Sequence, residues 1–172
     1  TKRGPILRGA WADFSALQDD PVQMADPAKF NHYMQLNAAG LCGMPPERLF
    51  RAAHVAHPCS RRTMAQLHTR FNAAFHDNAR YQMRDIRQFS PQSLHNYACI
   101  LHKTAKLHPI KDHHHIYSGQ GVGAADGTIP ALLQNLRDAP DLKMLCVNDL
   151  PQLEALYPDI RSWLAQLLTG AP

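Results

Sequence analysis

Five stretches of the chain place apolar residues at helical spacing. Asp26-Pro27 supplies an N-cap and a proline at the first helical position, and Gly40 supplies a stop. Between them Phe30, Met34, Asn37 and Ala38 fall on one face. Pro45-Pro46 breaks the chain before Glu47–Phe50. The spacing of Met64, Leu67, Phe71 and Ala74 predicts a second helix from Pro58 to about residue 76. Ser90-Pro91 opens a third, with Leu94, Tyr97, Ala98 and Leu101 on its apolar face. Ala131, Leu132, Leu133 and Leu136 predict a fourth. Ile160, Trp163, Leu164, Leu167 and Leu168 form the stripe of a fifth, ending before Gly170.

Two short apolar runs break this rhythm. His115-Ile116-Tyr117 and Lys143–Val147 read as strands on either side of the fourth helix. Strand, helix and strand in so few residues predict a right-handed crossover joining parallel strands. The expected fold class is therefore α/β, mostly helical with a small parallel β element, a helical layer against a sheet. A helical part, 26–107, precedes a part at 113–172 holding the strand-helix-strand and the terminal helices.

Composition narrows the classes. A chain of 172 residues with 45% hydrophobic and 19% charged residues builds a core and is not disordered. Its length suits one domain. No apolar run is long enough for a membrane span. The net charge of +4 favours an anionic ligand, but the 18 lysines and arginines are dispersed, and only Lys2-Arg3 and Arg61-Arg62 cluster. Dispersed charge without interleaved aromatics argues against nucleic acid as a partner. Cys42, Cys59, Cys99 and Cys146 show no paired spacing and read as reduced, buried thiols. Thr1 at the start is expected of a processed chain or part of a longer one.

Three places invite a chemical reading. In Ala53-His54-Val55-Ala56-His57-Pro58 the proline holds His57 out of helical conformation. Both histidines then approach a helix N-terminus whose free N–H groups favour an anion. With Arg61-Arg62 beyond, this makes a phosphate site with a proton acceptor, or else two histidines that merely cap the helix. Arg84, in the segment Tyr81–Asp85, can clamp a phosphate or can pair with Asp85. Asn148-Asp149 emerges at the carboxyl end of the second strand, where open α/β sheets hold ligands, and offers oxygen donors to Mg²⁺ or a sugar hydroxyl. A turn cap is the plain alternative.

Two more conspicuous signals carry less. Neighbours in His113-His114-His115 point in different directions and lack a companion cysteine pair, so no metal site is expected there. Gly119–Ala124 has the letters of a dinucleotide fingerprint, but Gly127-Thr128-Ile129-Pro130 interrupts the helix that should follow.

In order, "RAAHVAHPCSRRTMAQL", "RYQMRDIRQFSPQSLHNY" and "LKMLCVND" resemble the third and fourth conserved regions of the Stealth family. That family contains bacterial capsule polymerases and the N-acetylglucosamine-1-phosphotransferase of lysosomal tagging. His54 and Arg84 keep the family's separation, Ser90-Pro91 and Tyr97 fall in step, and Cys146–Asp149 reproduces its Cys-x-Asn-Asp ending. The resemblance covers roughly residues 30 to 150. The chain departs at Arg87 and Gln88, where the family usually carries acids, and at Leu150, where a second aspartate is common.

The resemblance implies a hexose-1-phosphate transferase that uses a UDP-sugar donor and a saccharide acceptor and releases UMP. It implies His54 and Arg84 as catalytic residues, and His57, Arg61, Asn148 and Asp149 as substrate-binding residues. Mg²⁺ would be the cofactor, with most ligands upstream in an N-terminal half of the same enzyme. The chain is expected to be the C-terminal half, cytoplasmic and peripheral at the inner face of a bacterial membrane. The Ile160–Leu168 helix is either the attachment point or an ordinary core helix. A noncatalytic helical binding module and a nucleotide-binding subunit are the alternative functions.

Overall fold

A computed structural model describes residues 4–18, 20–108, 112–117, 128–139 and 141–169, with backbone alone at 128–130, 132 and 133. The fold is α/β and mostly helical, with small sheets. The chain divides into two compact units, Thr1–Ala53 with His57–Ile110, and His54–Ala56 with Lys111–Pro172. Length alone pointed to one domain. The physical reason for two is that the described apolar residues close into two separate clusters, each satisfied by its own elements.

In the first unit, strand β1 (Ile6–Ala12) lies between β2 (Leu49–Ala52), antiparallel to it, and β3 (Lys106–His108), parallel to it. The sequence pattern did not announce β1, because Arg8 and Gly9 interrupt its apolar run. Gly9 has a packing reason: a Cβ there would stand 2.3 Å from the Arg51 carbonyl oxygen and 2.7 Å from the Phe50 ring. A side chain would push β2 away.

The helices of this unit are α1 (Pro21–Met24), α2 (Phe30–Cys42), α3 (Arg61–Arg70), α4 (Asn72–Ala79) and α5 (Pro91–Leu101). Asp26 accepts from the Ala28 N–H, as expected of a cap, but it opens a 3-10 turn at Pro27–Lys29 that leads into α2. Helix α2 also runs past Gly40 and stops at Gly43, whose φ of 72° supplies the left-handed C-cap. Ser90 caps α5 through the Ser93 N–H. Leu94, Tyr97 and Ala98 are buried as the spacing predicted, whereas Leu101 at the helix end is exposed. With Leu7 and Leu49 they form the core, each fully buried leucine contributing on the order of 2 kcal/mol.

In the second unit β4 (His113–Ile116) and β5 (Met144–Val147) pair in parallel, with α6 (Thr128–Arg137) between them in sequence. Helices α7 (Leu150–Leu156) and α8 (Ile160–Thr169) follow. Ile160, Trp163, Leu164 and Leu167 pack with Ile116, Leu136 and Leu153, so the stripe of α8 serves the core. Leu168 lies outside that stripe and is exposed. No helix among the described residues is long and apolar enough to cross a membrane. Gly119–Ala124 lies outside the described residues.

Candidate functional site

The second unit gathers His54, His115, Asn148 and Asp149 around the carboxyl end of its parallel pair. Alternation along β4 sends Ile116 into the core and His115 to the opposite face, with Tyr117 beyond it. His54, although it follows β2 in sequence, is counted with this unit and stacks on His115. The ring centroids are 4.2 Å apart and the planes only 5° from parallel. Tyr117 adjoins the same imidazole, its ring centroid 5.2 Å from that of His115. The triplet that the sequence argument set aside therefore supplies the ring that holds His54.

His115 titrates below the usual histidine range, first because burial penalises its charged form. The positive charges of His54 and His114 push the same way, while Asp149 opposes them. His114 is shifted down by burial and by His113. His115 is half-buried beneath a solvent-exposed His54, so the outer ring is the one a ligand can reach.

Asn148 and Asp149 follow β5 directly. The Asn148 N–H donates to the Ile116 carbonyl at 2.8 Å, extending the parallel ladder by one residue. Its side-chain oxygen accepts from the Cys146 thiol at 3.5 Å, which orients the amide. Asp149 adopts φ 56°, a left-handed conformation that aspartate tolerates better than most residues. Its carboxylate does not cap α7, so the turn-cap reading fails in that form. Among the described residues no group of three histidine, cysteine, aspartate or glutamate side chains is arranged to hold a metal ion.

Three predicted site residues belong to the first unit. His57 is half-buried, and its Nε2–H donates to the Ala53 carbonyl at 2.6 Å. The bond ties the two ends of the turn that presents His54. Neither histidine caps α3. The helix starts at Arg61 rather than at Pro58, and Ser60 caps it by accepting from the Thr63 N–H. It also ends earlier than predicted, at Arg70, with a break at Phe71 before α4. Arg61 is thus the first helical residue, exposed to solvent.

Arg84 lies in the segment between α4 and α5, which is pinned just after it. Asn37 donates from Nδ2 to the carbonyls of Ile86 and Gln88, both at 2.7 Å, and Asn78 Oδ1 accepts from the Phe89 N–H. Asp85 does not pair with Arg84. It binds Arg87 through two bonds of 2.8 Å, which hold its carboxyl well down, at about 2. The departure at Arg87 thereby occupies the nearest acid, and Arg84 is exposed with no ion pair among the described residues.

Sequence reasoning missed a further buried histidine. His95 on α5 accepts the Ser60 N–H at Nε2, 2.9 Å away, which places its own proton on Nδ1, 3.3 Å from Asn96 Oδ1. Nothing in the local pattern marks it, since its partner is 35 residues away. Of the four cysteines expected to be buried, only Cys99 is; Cys42 and Cys146 are half-buried and Cys59 is exposed. No protein-family model, curated protein or solved structure matches this chain.

Proposed function

We propose that the chain takes part in hexose-1-phosphate transfer from a UDP-sugar to a sugar hydroxyl, with release of UMP, in capsular or exopolysaccharide synthesis. The observation that supports this best is the stack of His54 on His115 at the carboxyl end of β4 and β5, beside Asn148 and Asp149. An exposed imidazole held in place by a stacked ring suits a general base. In the reaction the acceptor oxygen bonds to the phosphorus that carries the sugar. The bridge to the uridine-bearing phosphate breaks, UMP leaves, and the hydroxyl proton passes to His54.

Charge on the transferred phosphate needs a fixed cation, and the resemblance gives that part to Arg84, which no carboxylate of the described residues engages. His57 and Arg61 bind substrate by the same resemblance. Asn148 and Asp149 suit sugar hydroxyls. Their oxygens are also the donors that Mg²⁺ accepts alongside water and phosphate, and that ion would neutralise diphosphate charge. By the same resemblance the donor is a UDP-sugar and the acceptor a saccharide, the work lies at the inner face of a bacterial membrane with peripheral contact, and an N-terminal half of the enzyme is the partner.

The test is incubation of the full-length polypeptide with UDP-sugars and a saccharide primer, with the released nucleotide identified by chromatography. UMP is expected. Transfer should fall at least ~100-fold in His54→Ala and in Arg84→Ala. Release of UDP would indicate ordinary glycosyl transfer and overturn the reading.

A further inference from the structure

The first unit holds a cavity of about 570 Å³ between one face of α3 and the end of α5. Arg62, Gln66 and Arg70 line it at four-residue intervals along α3, so they share one side of the helix. Leu67 and Ala98 supply an apolar floor, and His102 and Thr104 close the far side. No carboxylate lines the cavity, and neither Arg62 nor Arg70 has an acidic partner among the described residues. Arg70 rests over the Phe71 ring at 5.0 Å, which limits its wandering without using its N–H groups.

The sequence supports the same conclusion independently. Of the 14 acidic residues, none lies in 48–76 or 86–111, the two stretches that contain α3 and α5. Two acid-free segments packed together leave a local positive potential that the modest net charge conceals. Cations, hydroxyls and an amide over an apolar floor select an anion with several acceptor oxygens on a compact body.

We infer that the cavity between α3 and α5 binds a phosphate monoester, held by Arg62 and Arg70 with Thr63, Gln66 and His102 completing the donors. This goes beyond the transfer reading and does not rest on it, since neither His54 nor Arg84 lines the cavity. The shared chemistry is the phosphate group, whose source is either a soluble sugar phosphate or a lipid headgroup.

The experiment is calorimetric titration of the full chain with inorganic phosphate and with a hexose phosphate, without turnover. Sedimentation with phosphatidic acid or phosphatidylcholine vesicles runs in parallel. Arg62→Ala and Arg70→Ala are each expected to weaken binding about tenfold. Gln66→Glu puts a carboxylate into the cavity and should reduce binding about a hundredfold. The introduced carboxylate would stand four residues from both arginines, so the helix gains ion pairs and stays folded.

Arg80→Ala removes the same charge from an exposed arginine that does not line the cavity, and should change affinity less than twofold. Higher salt should weaken the binding. Capture by phosphatidic acid vesicles alone, lost in Gln66→Glu, would support the site and give its phosphate a lipid source. Equal binding by the wild type and the Arg62→Ala/Arg70→Ala double variant would overturn the proposal, as would an equal loss in Arg80→Ala. Because no UDP-sugar is consumed, failure here leaves the transfer reading untouched.

Discussion

Replacing His95 with phenylalanine isolates one long-range bond that sets where α3 begins. His95 is fully buried, and its Nε2 is the acceptor for the Ser60 N–H at 2.9 Å. Phenylalanine fills the space but accepts nothing, so the half-buried Ser60 N–H loses its partner. A donor stranded this way costs about 1–3 kcal/mol, and the larger ring adds some overpacking strain. A local opening energy lowered by that amount corresponds to roughly 5- to 150-fold faster amide exchange, since about 1.4 kcal/mol is a factor of ten. Exchange measured by mass spectrometry or NMR should show the loss at Ser60 and across the first turn of α3. The interior turns of α5 should change less. Unaltered protection at Ser60 in His95→Phe would refute the view that this histidine anchors the helix start. A His95→Gln variant, which keeps an acceptor, should recover part of the protection.

Other consequences can be checked the same way. The Tyr97 hydroxyl is buried with no partner among the described residues, and burial pushes its titration up. Tyr97→Phe is therefore expected to stabilise the first unit by about 1 kcal/mol in urea unfolding, and a loss of similar size would contradict the packing. Gly40→Ala should stabilise by about 0.5–1 kcal/mol, because a Cβ there meets nothing within 4 Å inside a helix. Gly43→Ala should cost about 1–2 kcal/mol, because φ 72° is unfavourable for alanine. Opposite signs in thermal melts are the test. His114 and His115 titrate lower when folded than when unfolded, so the unfolded chain binds more protons below about pH 6.5. Their contribution is complete above that pH and is lost as pH falls through it toward the folded values. The urea midpoint of the second unit should drop between about pH 7 and pH 5, and a His114→Asn/His115→Asn variant should drop less. Parallel pH profiles would rule out these two histidines as the source.

The local punctuation of the chain was legible because capping and turn chemistry act over a few residues. Ser90-Pro91 opens α5, and the runs near 115 and 145 are the paired strands β4 and β5. Expectations failed where local signals competed. Gly40 looked like a stop but is an interior helical residue, since Gly43 three positions on offers the left-handed cap. Pro58 looked like the helix start, but Ser60 has the hydroxyl that caps it and its N–H is claimed by His95. Strand β1 was invisible because its stability comes from β2 and β3 on either side, not from its own broken pattern.

For the candidate site, the sequence by itself determined which chemistries were present: imidazoles near 54, an arginine at 84, an amide and a carboxylate after a strand. It also determined the α/β class, because helical and strand periodicities are properties of neighbouring residues. Only the tertiary structure decided the partners. It stacked His54 on His115, gave Asp85 to Arg87 and not to Arg84, and set Arg62 and Arg70 in one cavity. Each of these joins groups through side-chain geometry and packing that residue spacing does not encode. Which ring lies beneath His54 follows from how one strand alternates and where a distant turn brings the chain, and no local preference carries that information.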